Sequence, residues 1–171
     1  MMFAKKNIII GYFSGSITHN PDIEMIKQPL IKILREFKNV NILLFGLLDF
    51  PNFLEDFRSQ IIIKKFGNWT ELPDYISNVD INIAPIESNI FNEAKSENKW
   101  VEAAIVKVPT VASNFGAFKK AIQHNETGLL CSNENDWYIS LKSLIVNEYQ
   151  RKTIGEKAYD VCKEKYNYRL F

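Results

Sequence analysis

Six short stretches of the chain are rich in apolar and β-branched residues: 7–13 (NIIIGYF), 40–45 (VNILLF), 60–66, 80–86 (DINIAPI), 110–113 and 127–130. Runs of this length and composition are the pattern of strands buried on both faces of a parallel sheet. Helical spacing fills the intervals. Asp22 can cap a helix reaching about Phe37, with Ile26, Leu30, Ile33, Leu34 and Phe37 inward. Pro29 inside that span demands a kink or a separate first turn. Short helices are expected over 50–57, 71–77 and from Asn114 to about Ile122, and a buried one over 96–106. Asn133-x-x-Asp136 caps a helix bearing Trp137, Leu141, Leu144 and Ile145, and a last amphipathic helix spans 148–166. Strand–helix alternation predicts an α/β fold, a doubly wound parallel six-stranded sheet with right-handed crossovers. Ile8–Ile10, Ile42–Leu44, Ile61–Ile63, Ile81–Ile83 and Val111 should be central and buried. No linker or repeat divides the chain, so residues 1–171 read as one domain.

Composition narrows the class. With 171 residues, 46% hydrophobic and 24% charged, the chain can build a proper core. A formal net charge of +1 provides no long-range field for nucleic acid or an acidic membrane. Cys131 and Cys162 sit in unrelated contexts without metal-ligand spacing, which points to a reducing, cytoplasmic compartment. Ile8–Ile10 is too short for a signal peptide, and no apolar run approaches a membrane span. Asp80-x-Asn82 falls at the start of a buried strand and is not a metal-binding pair.

Chemistry concentrates in 92–113, NEAKSENKWVEAAIVKVPTVAS. The helix over 96–106 is apolar round most of its circumference, yet Lys95, Lys99 and Glu102 fall at i, i+4 and i+7 on one face. Charges on a buried helix cost several kcal/mol unless something pairs with them. Two readings stand side by side. Either Lys99 and Glu102 form a solvated pair, or the stripe lines a cleft. In the cleft, the lysines and the helix start face an anion while Glu102 accepts hydroxyl hydrogen bonds. Ahead of it, the strand 7–13 ends in Ser14-Gly15-Ser16, then Ile17-Thr18-His19-Asn20-Pro21-Asp22: strand, glycine turn, helix, the layout of a phosphate-binding βα unit. Neither G-x-G-x-x-G nor a Walker loop is present.

The run Glu102-Ala103-Ala104 … Pro109-Thr110-Val111-Ala112-Ser113 resembles the "EA…PVVAS" segment of GT-B nucleotide-sugar glycosyltransferases, the large retaining group with a paired-Glu motif. Asn92-Glu93-Ala94-Lys95-Ser96 … Lys99 is similar to the "N-x-x-K-S-x-x-K" of a subgroup that includes surface-polysaccharide transferases, and GYFSGSITHNPD resembles that subgroup's first βα loop. The resemblance implies a Rossmann-like fold, one half of a GT-B enzyme, binding a nucleoside-diphosphate sugar. Donor-binding residues would be Gly15, Ser16, His19, Lys95, Ser96, Lys99 and Glu102, the last on the ribose. Phe66 and Trp69 would lie by the base. The first Glu of the pair falls on Ala94; Glu93 beside it is the catalytic candidate in this half. Relatives put Arg and Lys in the first loop, where this chain has neither, and Gly where Lys107 stands.

No cofactor or metal is then expected, the nucleotide sugar being the substrate. The resemblance further implies a separate N-terminal acceptor-binding Rossmann domain, and polysaccharide or glycolipid synthesis at the cytoplasmic side of the inner membrane. An uncovered inter-domain face would leave an apolar patch open to self-association. The alternatives are a non-enzymatic nucleotide-binding module and an interaction domain whose polar stripe is solvated.

Overall fold

The computed structural model describes residues 7–15, 20–65, 67–93 and 95–166. Six parallel strands form one sheet: β1 Ile8–Ser14, β2 Val40–Gly46, β3 Ile61–Lys64, β4 Ile81–Ala84, β5 Thr110–Ser113 and β6 Leu129–Cys131. They lie in the order β3-β2-β1-β4-β5-β6. The helices are α1 Asn20–Glu24, α2 Lys27–Glu36, α3 Leu72–Ser77, α4 Ile90–Glu93, α5 Asn98–Ile105, α6 Gly116–Ala121, α7 Glu134–Val146 and α8 Glu148–Lys165. Fold class and strand number agree with the pattern read from the sequence.

Strand alternation sorts the core into two layers. Ile8, Ile10, Tyr12, Ile42, Leu44, Ile81 and Ile83 pack with Leu30, Ile33 and Leu34 of α2 and Leu141 and Leu144 of α7. On the opposite face Phe13, Leu43 and Phe45 meet Ile76 of α3 and Ala103 of α5, while Ala84, Ala112 and Trp100 meet Ala158 and Cys162 of α8. Each fully buried Leu or Ile contributes about 1.5–3 kcal/mol. Register is set by Ile10, opposite Ile42 on one side and Ile81 on the other. Asp80 fixes it further, its Oδ2 accepting the Ile9 N–H at 2.9 Å.

Three expectations are corrected. Ile61–Ile63 are not central: β3 is an edge strand paired only with β2, and Ile63 is 53% exposed. A continuous apolar run looks the same at an edge as in the middle, because hydropathy carries no record of strand order. The helix expected over 50–57 is instead a 3-10 segment, Asn52–Gln60, broken at Phe57 (φ −116°). Asp22 lies inside α1 rather than ahead of a helix, and its Oδ1 accepts the Glu87 N–H at 3.0 Å. Pro29 acts as foreseen, within the first turn of α2 and downstream of a break from α1.

Two other local readings hold. Asn133 caps α7, accepting the Asp136 N–H at 3.0 Å. Lys107 adopts φ 61°, the left-handed conformation that its place after α5 requires. Gly155 of α8 packs directly on it, a Cβ there falling 2.1 Å from the Lys107 carbonyl oxygen. Among the described residues no helix is long and apolar enough to cross a membrane.

Candidate anion-binding cleft at the switch point

Strand order reverses between β1 and β4, and in open parallel sheets the crevice outside the carboxyl ends at that point is where ligands bind. A cavity of about 370 Å³ lies there, lined by Asp22, Pro85, Ile86, Lys95, Ser96 and Lys99, with Asn98 and Phe118 completing its wall. Lys95 and Ser96 precede α5, and Lys99 lies in its first turn. Their charges and the positive end of the helix therefore meet in one place. A larger groove of about 650 Å³ between α2 and α7 has no comparable arrangement. Its carboxylate Glu36 is occupied in a surface cluster, Lys142 and Tyr138 both donating to it at 2.6 Å.

The position of α5 is fixed from beneath. Asn82, a polar residue on the buried strand β4, donates through Nδ2 to the Lys99 carbonyl at 3.1 Å and to Thr110 Oγ1 at 3.0 Å. Trp100 Nε1 donates to the Thr127 carbonyl at 2.8 Å. Tyr166, at the end of α8, donates to the Glu97 carboxylate just ahead of α5. Sequence reading set Asn82 aside as a strand-start polar residue. Its role shows only once a helix 17 residues away is laid over it.

Electrostatics single out Lys99. Its ammonium stands 4.9 Å from the centroid of the Tyr12 ring. Burial pushes its pKa down to about 8; Asp22 and Glu102 hold it up, while Lys95 presses it further down. Burial likewise raises the Glu102 carboxyl, against the pull of Lys99. Burial, with Asp22 beside it, drives the Tyr12 hydroxyl well above its ordinary value. Such a set can compensate a multiply charged anion with cations and amides held in a partly dry pocket.

The structure thus brings Lys95, Ser96 and Lys99 together. Glu102 lies outside the cavity lining, half-buried three residues further along α5. Gly15 is exposed at the end of β1, and Glu93 is exposed at the end of α4. Ser16, His19, Phe66 and Ala94 lie outside the described residues. Trp69 opens the 3-10 turn Trp69–Glu71. Asp22 was missed as a site residue, since an Asp before a helical pattern reads as a cap. Among the described residues no group of His, Cys, Asp and Glu is arranged to hold a metal.

Comparison with known proteins places this geometry. Residues 9–147 match the family profile described as "Glycosyl transferases group 1". No curated protein matches the sequence significantly. Among solved structures, the C-terminal domain of a group 1 family glycosyl transferase (LpcC) from Francisella tularensis is 20% identical with a TM-score of 0.68. That match covers 94% of this chain and 87% of that one. TarM from S. aureus, in complex with UDP among other ligands, is 19% identical with a TM-score of 0.77, covering 96% of this chain and 34% of that one. HepE from Anabaena, in complex with UDP and glucose, is 15% identical with a TM-score of 0.72, covering 94% and 45%. The chain therefore spans about a third of TarM and a little under half of HepE. At such identities the likeness is one of fold.

Proposed function

The chain belongs to the group 1 glycosyl transferases, and on that footing we propose that it binds the donor, a nucleoside-diphosphate sugar, for glycosyl transfer. The observation that carries this reading is the convergence of Lys95, Lys99 and the start of α5 on one cavity at the switch point. In this reading the two ammonium groups and the first-turn amides neutralise the diphosphate. As the bond from the sugar's anomeric carbon to the phosphate oxygen breaks, negative charge gathers on that leaving group. Cations already in place stabilise it without a metal bridge. Glu102 accepts hydrogen bonds from the ribose hydroxyls. Ser16, His19 and the Gly15–Ser16 amides flank the phosphates from the first loop, and Phe66 and Trp69 lie by the base.

Transfer itself needs an acceptor-binding half, and three exposed apolar residues support a docking face for it. Met25, Leu47 and Ile90 are 38%, 50% and 90% exposed. Leu47 follows β2, Ile90 follows β4 and Met25 lies between α1 and α2, all on the carboxyl-end side of the sheet. The polymer made is, on this reading, a bacterial surface polysaccharide or glycolipid, assembled on the cytoplasmic side of the membrane.

Calorimetric titration of UDP, ADP and GDP, each with and without its sugar, tests the assignment. Glu102→Ala should cost roughly 2–4 kcal/mol of binding, as charge-assisted bonds do, and Glu102→Gln less. Lys99→Ala should weaken nucleoside diphosphate far more than nucleoside. Equal affinities in wild type and all three variants would return Lys99 and Glu102 to a solvated pair. Affinity that ignores the sugar would favour a nucleotide-binding module without transfer.

A further inference from the structure

A pocket for a diphosphate has little use for a carboxylate, yet Asp22 lines the same cavity as Lys95 and Lys99 and is only 3% exposed. We propose that Asp22 is a positioning residue of this site with two separable tasks: it pins the loop after β4, and it keeps Lys99 cationic for the donor's diphosphate. The inference rests on the donor reading of the cavity given above.

The first task is visible in the hydrogen bonds. Asp22 Oδ1 takes the Glu87 N–H at 3.0 Å, joining α1 to the loop after β4 across the switch point. Ser113 Oγ takes the neighbouring Ile86 N–H at 2.9 Å, and Asn92 Nδ2 donates to the Glu87 carbonyl at 2.9 Å. Pro85 and Ile86, part of the cavity wall, are held between these anchors. Without the Asp22 acceptor, that wall loses its tie to α1.

The second task follows from what surrounds Lys99. Asp22 comes from α1, Lys95 from the segment before α5, Glu102 from α5 itself and the Tyr12 ring from β1. Phe118 of α6 brings no charge. Burial favours the neutral amine, and Asp22 is the foremost of the charges opposing it. The same carboxylate repels phosphate, so its removal has opposite effects on either side of the Lys99 titration. At pH 6.5 Lys99 is cationic with or without Asp22, and loss of the carboxylate removes only a repulsion. Near pH 8 and above, loss of the carboxylate leaves a neutral amine facing the ligand.

Asp22→Asn and Asp22→Ala separate the tasks, because the amide oxygen of Asn still accepts the Glu87 N–H and Ala does not. In ligand-free protein labelled with 13C at the lysine ε-carbons, Lys99 in D22N should bind its proton about tenfold less tightly than in wild type. UDP affinity relative to wild type should be equal or higher for D22N at pH 6.5 and about tenfold lower at pH 8.5; the ratio at each pH cancels the ligand's own ionisation. D22A should bind UDP more weakly than D22N at both pH values. An unchanged Lys99 titration, or a D22N-to-wild-type ratio constant across pH, overturns the charge-keeping task. Equal binding by D22A and D22N overturns the loop-pinning task. Wild type that binds no nucleoside diphosphate at any pH overturns the donor reading instead, and the lysine titration then judges the Asp22–Lys99 coupling by itself.

Discussion

Holding the Lys99 ammonium among buried neighbours sets ligand binding against stability at a single residue. Its pKa falls from an ordinary 10.5 to about 8 in the folded chain. Between those values the unfolded chain binds more protons, so stability rises with pH across that window, and the burial penalty is fully present below about 8. Lys99→Met should therefore stabilise the ligand-free protein at pH 7 by about 1–3 kcal/mol while weakening UDP binding. Urea melts at pH 7 and pH 10.5 check the sign, since the advantage of the variant should shrink at the higher pH. Lys107 is strained for a different reason, its φ of 61° being one that a side chain resists. Lys107→Gly should raise stability by up to about 1 kcal/mol, read by thermal unfolding, with UDP affinity unchanged.

Helix α5 works as a platform whose height above the sheet is set by groups outside the cavity. Asn82→Ala removes the donor to the Lys99 carbonyl. It should cost about 1–3 kcal/mol of stability and weaken UDP binding several-fold, although Asn82 does not line the cavity. Gly155→Ala should cost at least about 1–3 kcal/mol by urea titration, because the new Cβ would meet the Lys107 carbonyl and push α8 outward. Elements of this kind were legible in the sequence to unequal degrees. The parallel sheet was plain, because strands such as β1, β2 and β4 are short runs dominated by apolar, β-branched residues. Lys95 and Lys99 were legible as a pair from their i, i+4 spacing and Ser96 through the family resemblance, although Lys95 and Ser96 precede α5 and Glu102, on the same expected stripe, lies outside the cavity lining. Asp22 was not: its partner amide is 65 residues away, and a local pattern offered it a cap to fill. The edge position of β3 was hidden for a related reason, since pairing order is decided by helix packing remote from the strand.

For the whole molecule, the donor reading makes activity a property of two halves. The chain alone should bind UDP and a UDP-sugar yet release no UDP in a coupled transfer assay; adding an acceptor-binding half as a separate polypeptide should restore turnover. Replacing Ile90, 90% exposed, with Asp should prevent that restoration without altering UDP affinity, which calorimetry and the coupled assay together can resolve. Away from the cleft, the β3 edge has a consequence of its own. β3 ends the sheet, with Ile63 53% exposed and Lys64 and Lys65 exposed beside it. Like charges at an open edge keep a second copy from adding itself as a seventh strand. Neutralising both lysines should make that edge more prone to pair with a second copy, which light scattering of the variant beside wild type at equal concentration checks.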